Sequence, residues 1–489
     1  MNQRPPIPRF AIVGHPNKGK SSLVSTLSQD ESVAISAMSG TTERNHTYPM
    51  RVDGELLYEL IDTPGFQRSR LAMQWLRERS LSPADRAETI KSFILAHKDS
   101  DTFIAERQLL SPIVEGAGII YMVDGAIPYG KEYNFEMDIL RWTGQPSMAL
   151  INQIGHGDYF SQWEQALAQY FSIVRTFNAH TADFQKQIQL LNGFSQLRED
   201  WHQPLVHAVL MLKNQRVVRQ KESALIIAGM IGQMLTLSTR HDIQGELSQI
   251  EIDQLHLDMK QSLREIEQFH RLQIEQLYRY QKLERHEQKL SIINDDLFSE
   301  ESWQLFGLTS DQLLAAGAIG GAATGSTIDL LASGSTFFLG TGIGAILGSL
   351  TARFGAEKLV KSSTTKTNTG QKQVVVGPIK SPHFPYVILG RAICHHMAIE
   401  RRTHAQRIPI EVVENQNITQ RLFREDRTTF DRAFAKIRKR GNDNKRQKET
   451  LVELIEQKLM DAQTLLSSGI QTNDHNPTAS AASSTKQFD

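Results

Sequence analysis

The sequence predicts an α/β domain at the front of the chain and a mainly α-helical domain behind it. Three observations carry this. An apolar, β-branched run at residues 9–14, RFAIVG, passes through a Gly-rich turn directly into a helix-like stretch. A second apolar run, LLYELIDTPGF at residues 56–66, ends in D-x-x-G. From about residue 205 onward, apolar residues recur mostly at helical spacing.

The turn reads GHPNKGKSS at residues 14–22 and fits G-x-x-x-x-G-K-[ST] through Gly14, Gly19, Lys20 and Ser21. Such a loop wraps phosphate. Its glycines let several backbone N–H groups converge on phosphate oxygens, and the helix that follows adds a partial positive charge. Lys18, Lys20 and Ser22 belong to the cradle. Lys20 is placed to reach the β- and γ-phosphates, and the Ser21 hydroxyl to ligate Mg²⁺. Asp62 is the second Mg²⁺ candidate, and the Gly65 N–H faces a γ-phosphate. Between the two runs lies SGTTERN, residues 39–45, whose Thr41 and Thr42 suit a switch loop that closes on Mg²⁺. Lys20, Thr42 and Gly65 are the candidates for catalytic roles.

GxPNxGKS, GTTxR and DTPGF, in that order, resemble the Era and TrmE–EngA branch of bacterial GTPases over about the first third of the chain. The resemblance implies a Ras-like α/β domain with a mostly parallel sheet and helices on both faces. It implies GTP and Mg²⁺ as ligands. It also implies a K⁺ ion held by Asn17 that does part of an arginine finger's work. Phe66 stands where Ras-like enzymes place a water-orienting glutamine, and a phenyl ring cannot orient water. Slow, K⁺-stimulated hydrolysis is the expectation, beside a nucleotide-binding scaffold with negligible catalysis. A structural reading of Asn17, as a residue that stabilises the loop, stays open.

The base-reading pattern departs from that branch. SMALINQIG, residues 147–155, holds Asn152, but Gln153 replaces lysine and Gly155 replaces the guanine-reading aspartate. Asp158 lies three residues further on. SIVRTFNAH, residues 172–180, ends in Asn178 and Ala179, where the branch has a Ser-Ala motif that packs on the base. Losing a bidentate carboxylate removes much of the discrimination between guanine and adenine. GTP is the expected ligand, with ATP as the alternative. The stretch from Gly65 to AGIIYMVDG, residues 117–125, contains two helix-like runs. It reads as an insertion in switch II, either reporting nucleotide state or only packing on the sheet.

Lys+Arg and Asp+Glu both number 54, so no net field favours nucleic acid or membrane. The single cysteine, Cys394, excludes an internal disulfide framework and suits a reducing cytoplasm. MNQRPPIPRF lacks the apolar core of a signal peptide. The GTPase domain is assigned to residues 1–200, with a helical linker and long amphipathic helices over 201–300. Residues 301–360 hold a Gly-rich apolar helical hairpin, in which Gly317, Gly321 and Gly325 face Gly340, Gly344 and Gly348. Residues 361–467 form a C-terminal helical part, and 468–489 a disordered tail. The hairpin, 313–352, is read in two ways: a segment that meets the inner membrane, or a buried soluble pair. The basic run Lys436, Arg438, Lys439, Arg440, Lys445, Arg446 and Lys448 reads as a solvated helix-end patch, with anionic lipid or RNA phosphates as the alternative partners. The expected role is a GTP-dependent switch at the cytoplasmic membrane face. A ribosome- or RNA-associated GTPase is the alternative, and oligomeric state is open.

Overall fold

The computed structural model of the chain describes residues 6–33, 44–280, 297, 362–366, 372–406, 426–440 and 445–470. Thr41, Thr42, residues 313–352 and most of the tail lie outside the described residues. The chain forms two compact units. One comprises Met1–Val218, Tyr278–Arg285 and Arg401–Pro409; the other comprises Arg219–Leu277, His286–Glu400 and Ile410–Asp489.

The first unit is a six-stranded sheet in the order β2-β3-β1-β4-β5-β6. Its strands are β1 Arg9–Val13, β2 His46–Val52, β3 Glu55–Asp62, β4 Gly118–Asp124, β5 Ser147–Asn152 and β6 Ile173–Thr176. Every pairing is parallel except β2 with β3, so the mostly parallel α/β expectation holds. β2 is an edge strand, which is why Pro49 is tolerated within it. It turns into β3 through Asp53 and Gly54, both at positive φ (50° and 83°), as a two-residue hairpin needs.

β1 is apolar on both faces because both are covered. Phe10 and Ile12 enter one core with α1 Lys20–Ser28, α7 Phe184–Phe194 and the first turns of α8 Glu199–Thr236. Ala11 and Val13 enter the other. That second core contains Ala72, Met73 and Leu76 of α2 Ser69–Arg79, and Ile90 and Phe93 of α3 Arg86–Ala96. It also contains Leu109, Leu110 and Ile113 of α4 Ile104–Val114. The switch II insertion therefore packs on the sheet as part of its core. α5 Tyr133–Trp142 and α6 Phe160–Leu167 complete that layer.

In the second unit the sequence reading needs correction. The stretch read as a linker at the start of 201–300 belongs to one long helix, α8, whose polar middle does not interrupt it. The C-terminal part, 361–467, expected to be helical, opens with a strand, β8 Ser362–Lys366. It lies at the edge of a three-stranded antiparallel sheet ordered β7-β9-β8, with β7 Thr239–Ile243 and β9 Lys372–Val376. Helices α9 Gln249–Leu277, α10 Phe384–Arg401, α11 Arg427–Arg440 and α12 Lys445–Ile470 make up the rest of the described unit.

Charge is buried in this unit. Arg391 of α10 is 1% exposed and meets both oxygens of Glu267 of α9, its Nε at 2.7 Å and an Nη at 3.3 Å. Arg271 donates to the same carboxylate at 2.7 Å. Burial alone would raise the Glu267 pKa, but the two guanidinium groups hold it below its ordinary value. His395 of α10 is buried and lies 3.2 Å from Glu275. Arg438, one of the basic run read as a solvated patch, is held within the protein and donates to the Ile379 and Ser381 carbonyls. No helix among the described residues is long and apolar enough to cross a membrane.

Candidate nucleotide-binding site

β1 lies between β3 and β4, the point from which the sheet grows in both directions. In open parallel sheets ligands bind beyond the strand ends at such a point. The turn after β1 has Asn17 at φ 63° and Gly19 at φ 86° before α1 begins at Lys20. Gly19 is required twice over, because a Cβ there would also lie 2.4 Å from the Asn152 amide nitrogen. Gly65 makes the other close approach: its Cβ would lie 2.7 Å from the Pro16 nitrogen. D-x-x-G is thereby seated directly on the phosphate loop.

Lys20 is 7% exposed and donates to the Gly14 and His15 carbonyls at 3.3 and 3.1 Å. Burial brings its pKa down to about 8, against the opposing pull of Asp62 and Glu136. A polyphosphate favours the charged ammonium. Below about pH 8 the free protein already carries that proton; above it, binding must take one up. GDP affinity is therefore expected to fall as pH rises from about 7 to 9, by at most about tenfold per pH unit. Calorimetric titration across that range checks this, and a flat profile refutes it.

Ser21 donates to Asp62 Oδ2 at 2.7 Å, and Asp62 is 3% exposed. Two hard oxygen donors held together at the phosphate end fit Mg²⁺. Ser22 is buried in the first turn of α1. Asn17 is exposed, and its positive φ is one that asparagine accepts readily. Its side chain is available to a cation, while its backbone serves the turn in either case. Phe66 is 1% exposed in the core under the sheet, so it takes no part in orienting water.

The phosphate loop has a second layer that sequence reasoning missed. Lys18 is buried with Nζ 3.8 Å from Asp124, and burial lowers its pKa while Asp124 and Glu136 oppose the shift. Asp124 also accepts from the Ala126 and Ile154 N–H groups at 3.0 and 3.4 Å. It thus ties the phosphate loop to the loop after β5. Glu136, 2% exposed, lies 3.1 Å from His15 and accepts from the Tyr121 hydroxyl at 2.9 Å. The one sequence signal for Asp124 was a carboxylate closing an otherwise apolar strand.

Both switch segments are held by α4. Glu106, 1% exposed, accepts from the Gln67 and Arg68 N–H groups just after Gly65. Asn45, at the end of switch I, donates to the Gln108 carbonyl at 2.6 Å. Pro112 explains why that carbonyl is open: it has no N–H to return to the residue four before it.

On the base side, Asn152 is 1% exposed and donates to the Lys18 carbonyl at 3.2 Å. Its Oδ1 is buried with no partner among the described residues. Gln153, Gly155 and Asp158 are exposed. Asn178 donates to the Gln153 carbonyl at 3.4 Å and accepts from the His180 N–H at 2.9 Å, so the two base-side loops are joined. The Asn178 carbonyl turns inward to the Ala182 N–H at 2.8 Å. Across a trans peptide the Ala179 N–H must face the other way.

A phosphate-wrapping loop at the switch point of this sheet, matched over residues 9–152 by the family model described as "50S ribosome-binding GTPase", makes the front of the chain an Era- and Der-like P-loop GTPase domain. A second model, "Domain of unknown function (DUF3482)", matches residues 164–461, more than half the chain. The chain belongs to that family. Among relatives, GTPase Der of Paraburkholderia phymatum is 27% identical over 146 residues, 30% of this chain and 27% of that protein. GTPase Der of Mycoplasma pneumoniae is 35% identical over 99 residues, 20% of this chain and 22% of that protein. The chain thus spans about a quarter of these relatives' length. Among solved structures, Aquifex aeolicus Era bound to GDP and AlF4⁻ is 15% identical with a TM-score of 0.27, covering 55% of this chain and 89% of that one.

Proposed function

We propose that this protein binds GTP with Mg²⁺ and hydrolyses it slowly as a molecular switch in the cytoplasm. The observation that carries this is the Ser21–Asp62 contact of 2.7 Å beside a buried Lys20. Lys20 and the loop amides hold the phosphates, and Ser21, Asp62 and Thr42 hold Mg²⁺. When bound, the ion offsets charge on the β- and γ-phosphates. Gly65 brings its N–H toward the γ-phosphate, and Glu106 holds the segment behind it. Asn17 supplies an oxygen to K⁺, which takes the place of an arginine finger. Guanine is read without the missing aspartate, by the joined base-side loops of Gln153 and Asn178, in which Asn152 and Ala179 are buried.

Turnover of GTP and ATP, each in KCl and in NaCl, tests the reading. Turnover of GTP above ATP, raised in KCl, is expected. Equal turnover with no ion effect removes both the base and the K⁺ assignments.

The switch acts, in this proposal, at the inner membrane face through residues 313–352. A second reading, association with ribosomal RNA, draws on the description of the matched family model, "50S ribosome-binding GTPase". Co-sedimentation with liposomes and with ribosomes separates the two.

A further inference from the structure

We infer that Thr403 and Gln406, far along the chain beyond α10, are positioning residues for base recognition. This rests on the guanine reading above. Two segments from the C-terminal half belong to the GTPase unit: 278–280 after α9 and 401–406 at the end of α10. They clasp each other. The Tyr280 and His404 rings stack at 4.4 Å and 7°. The Tyr280 hydroxyl donates to the Arg402 carbonyl at 2.6 Å, and His404 Nε2 donates to the Tyr278 carbonyl at 3.1 Å.

The clasp holds two parts of the nucleotide site. The Ser25 hydroxyl of α1 lies 2.9 Å from the His404 carbonyl and 2.7 Å from that of Asp30, which share its proton. The His180 carbonyl accepts from Thr403 Oγ1 at 3.1 Å and from Gln406 Nε2 at 2.6 Å, using both lone pairs. One residue earlier, the Ala179 carbonyl accepts from Thr26 Oγ1 at 2.9 Å. Three side chains thus grip consecutive carbonyls of the base-side loop from behind. With the carbonyls held there, the turn that carries Asn178, whose amide joins the Gln153 loop, is fixed at the base side. Discrimination between the bases then depends on two side chains more than 220 residues away from His180 in sequence.

The test uses the full chain and three ligands: GDP, ADP and inorganic tripolyphosphate. The variants are Thr403→Val with Gln406→Ala, and Thr403→Ser as the conservative control. The double variant is expected to weaken GDP by about tenfold, from the loss of two hydrogen bonds. ADP and tripolyphosphate should be unchanged, and Thr403→Ser should behave as wild type. A uniform loss across all three ligands, or no loss for GDP, overturns the inference. A wild-type chain that binds GDP no better than ADP overturns the guanine reading itself, and the inference with it. Amide exchange of the 176–182 segment provides a readout independent of affinity. It should quicken in the double variant while the phosphate-loop segment stays protected; parallel loosening of both overturns the positioning role.

Discussion

Replacing Lys20 with alanine is expected to weaken GDP and GTP binding about 100-fold, the loss of charge-assisted hydrogen bonds to two phosphates. In the free protein the ammonium rests on two loop carbonyls, Gly14 and His15. It is pre-placed, so little ordering is needed when phosphate arrives. Removing it opens space beside Asp62 and leaves that buried carboxylate's charge, and that of Glu136, facing the phosphates with less compensation. Those carboxylates repel phosphate, so the loss exceeds that of a surface lysine. Arginine should not rescue, because its planar fork does not fit a pocket shaped for a compact ammonium. Fluorescent-nucleotide titration measures this. A loss below about threefold would show that the loop does not hold the phosphates through Lys20.

Arg391→Ala is expected to cost the second unit about 3–5 kcal/mol, the usual result of breaking a buried ion pair from one side. Glu267 would keep only Arg271, and a void the size of a guanidinium would open beside a carboxylate that is itself 6% exposed. The described tryptophans Trp75, Trp142, Trp163 and Trp201 all lie in the first unit, so their fluorescence does not follow this change. Amide exchange in α9 and α10 does, and should accelerate by about 10²–10³-fold for the best-protected sites. Acid should act on the same contact. The Glu267 pKa is depressed in the folded state, so its stabilisation is present above the ordinary value of 4.5. It is lost as pH falls through the folded-state value. Unchanged exchange in Arg391→Ala would show that the pair does not stabilise the unit.

The phosphate loop was legible because all its requirements are local. Strand, glycines, lysine and serine lie within about a dozen consecutive residues, and only one backbone path joins them. Asp62 followed from D-x-x-G for the same reason. Asp124, Glu136 and Glu106 were not legible as site residues. Each acts through a partner from another element, and spacing within one segment does not encode that. Helix α4 was missed because Pro112 sits in it, yet the proline lies in the last turn, where it frees a carbonyl for Asn45. β7 and β8 were missed because TRHDI and SSTTK lack apolar alternation. Their pairing with β9 is a tertiary fact, and strand preference depends heavily on such context. Thr403 and Gln406 carried no signal at all, since nothing near them in sequence resembles a nucleotide site.

The clasp also sets an order of assembly during synthesis. Chains emerge from the ribosome N-terminus first, and domains usually fold as units while this happens. The six-stranded sheet is complete once β6, ending at Thr176, is out. The backing of its base-side loop is not: residues 401–406 emerge more than 200 positions later. Until then the early sheet can wrap phosphate, but its loop for the base lacks the support that holds it in place. On the proposed base reading, selective nucleotide capture is delayed until residues 401–406 have been made, and a nascent or interrupted chain would not compete as a selective guanine-nucleotide binder.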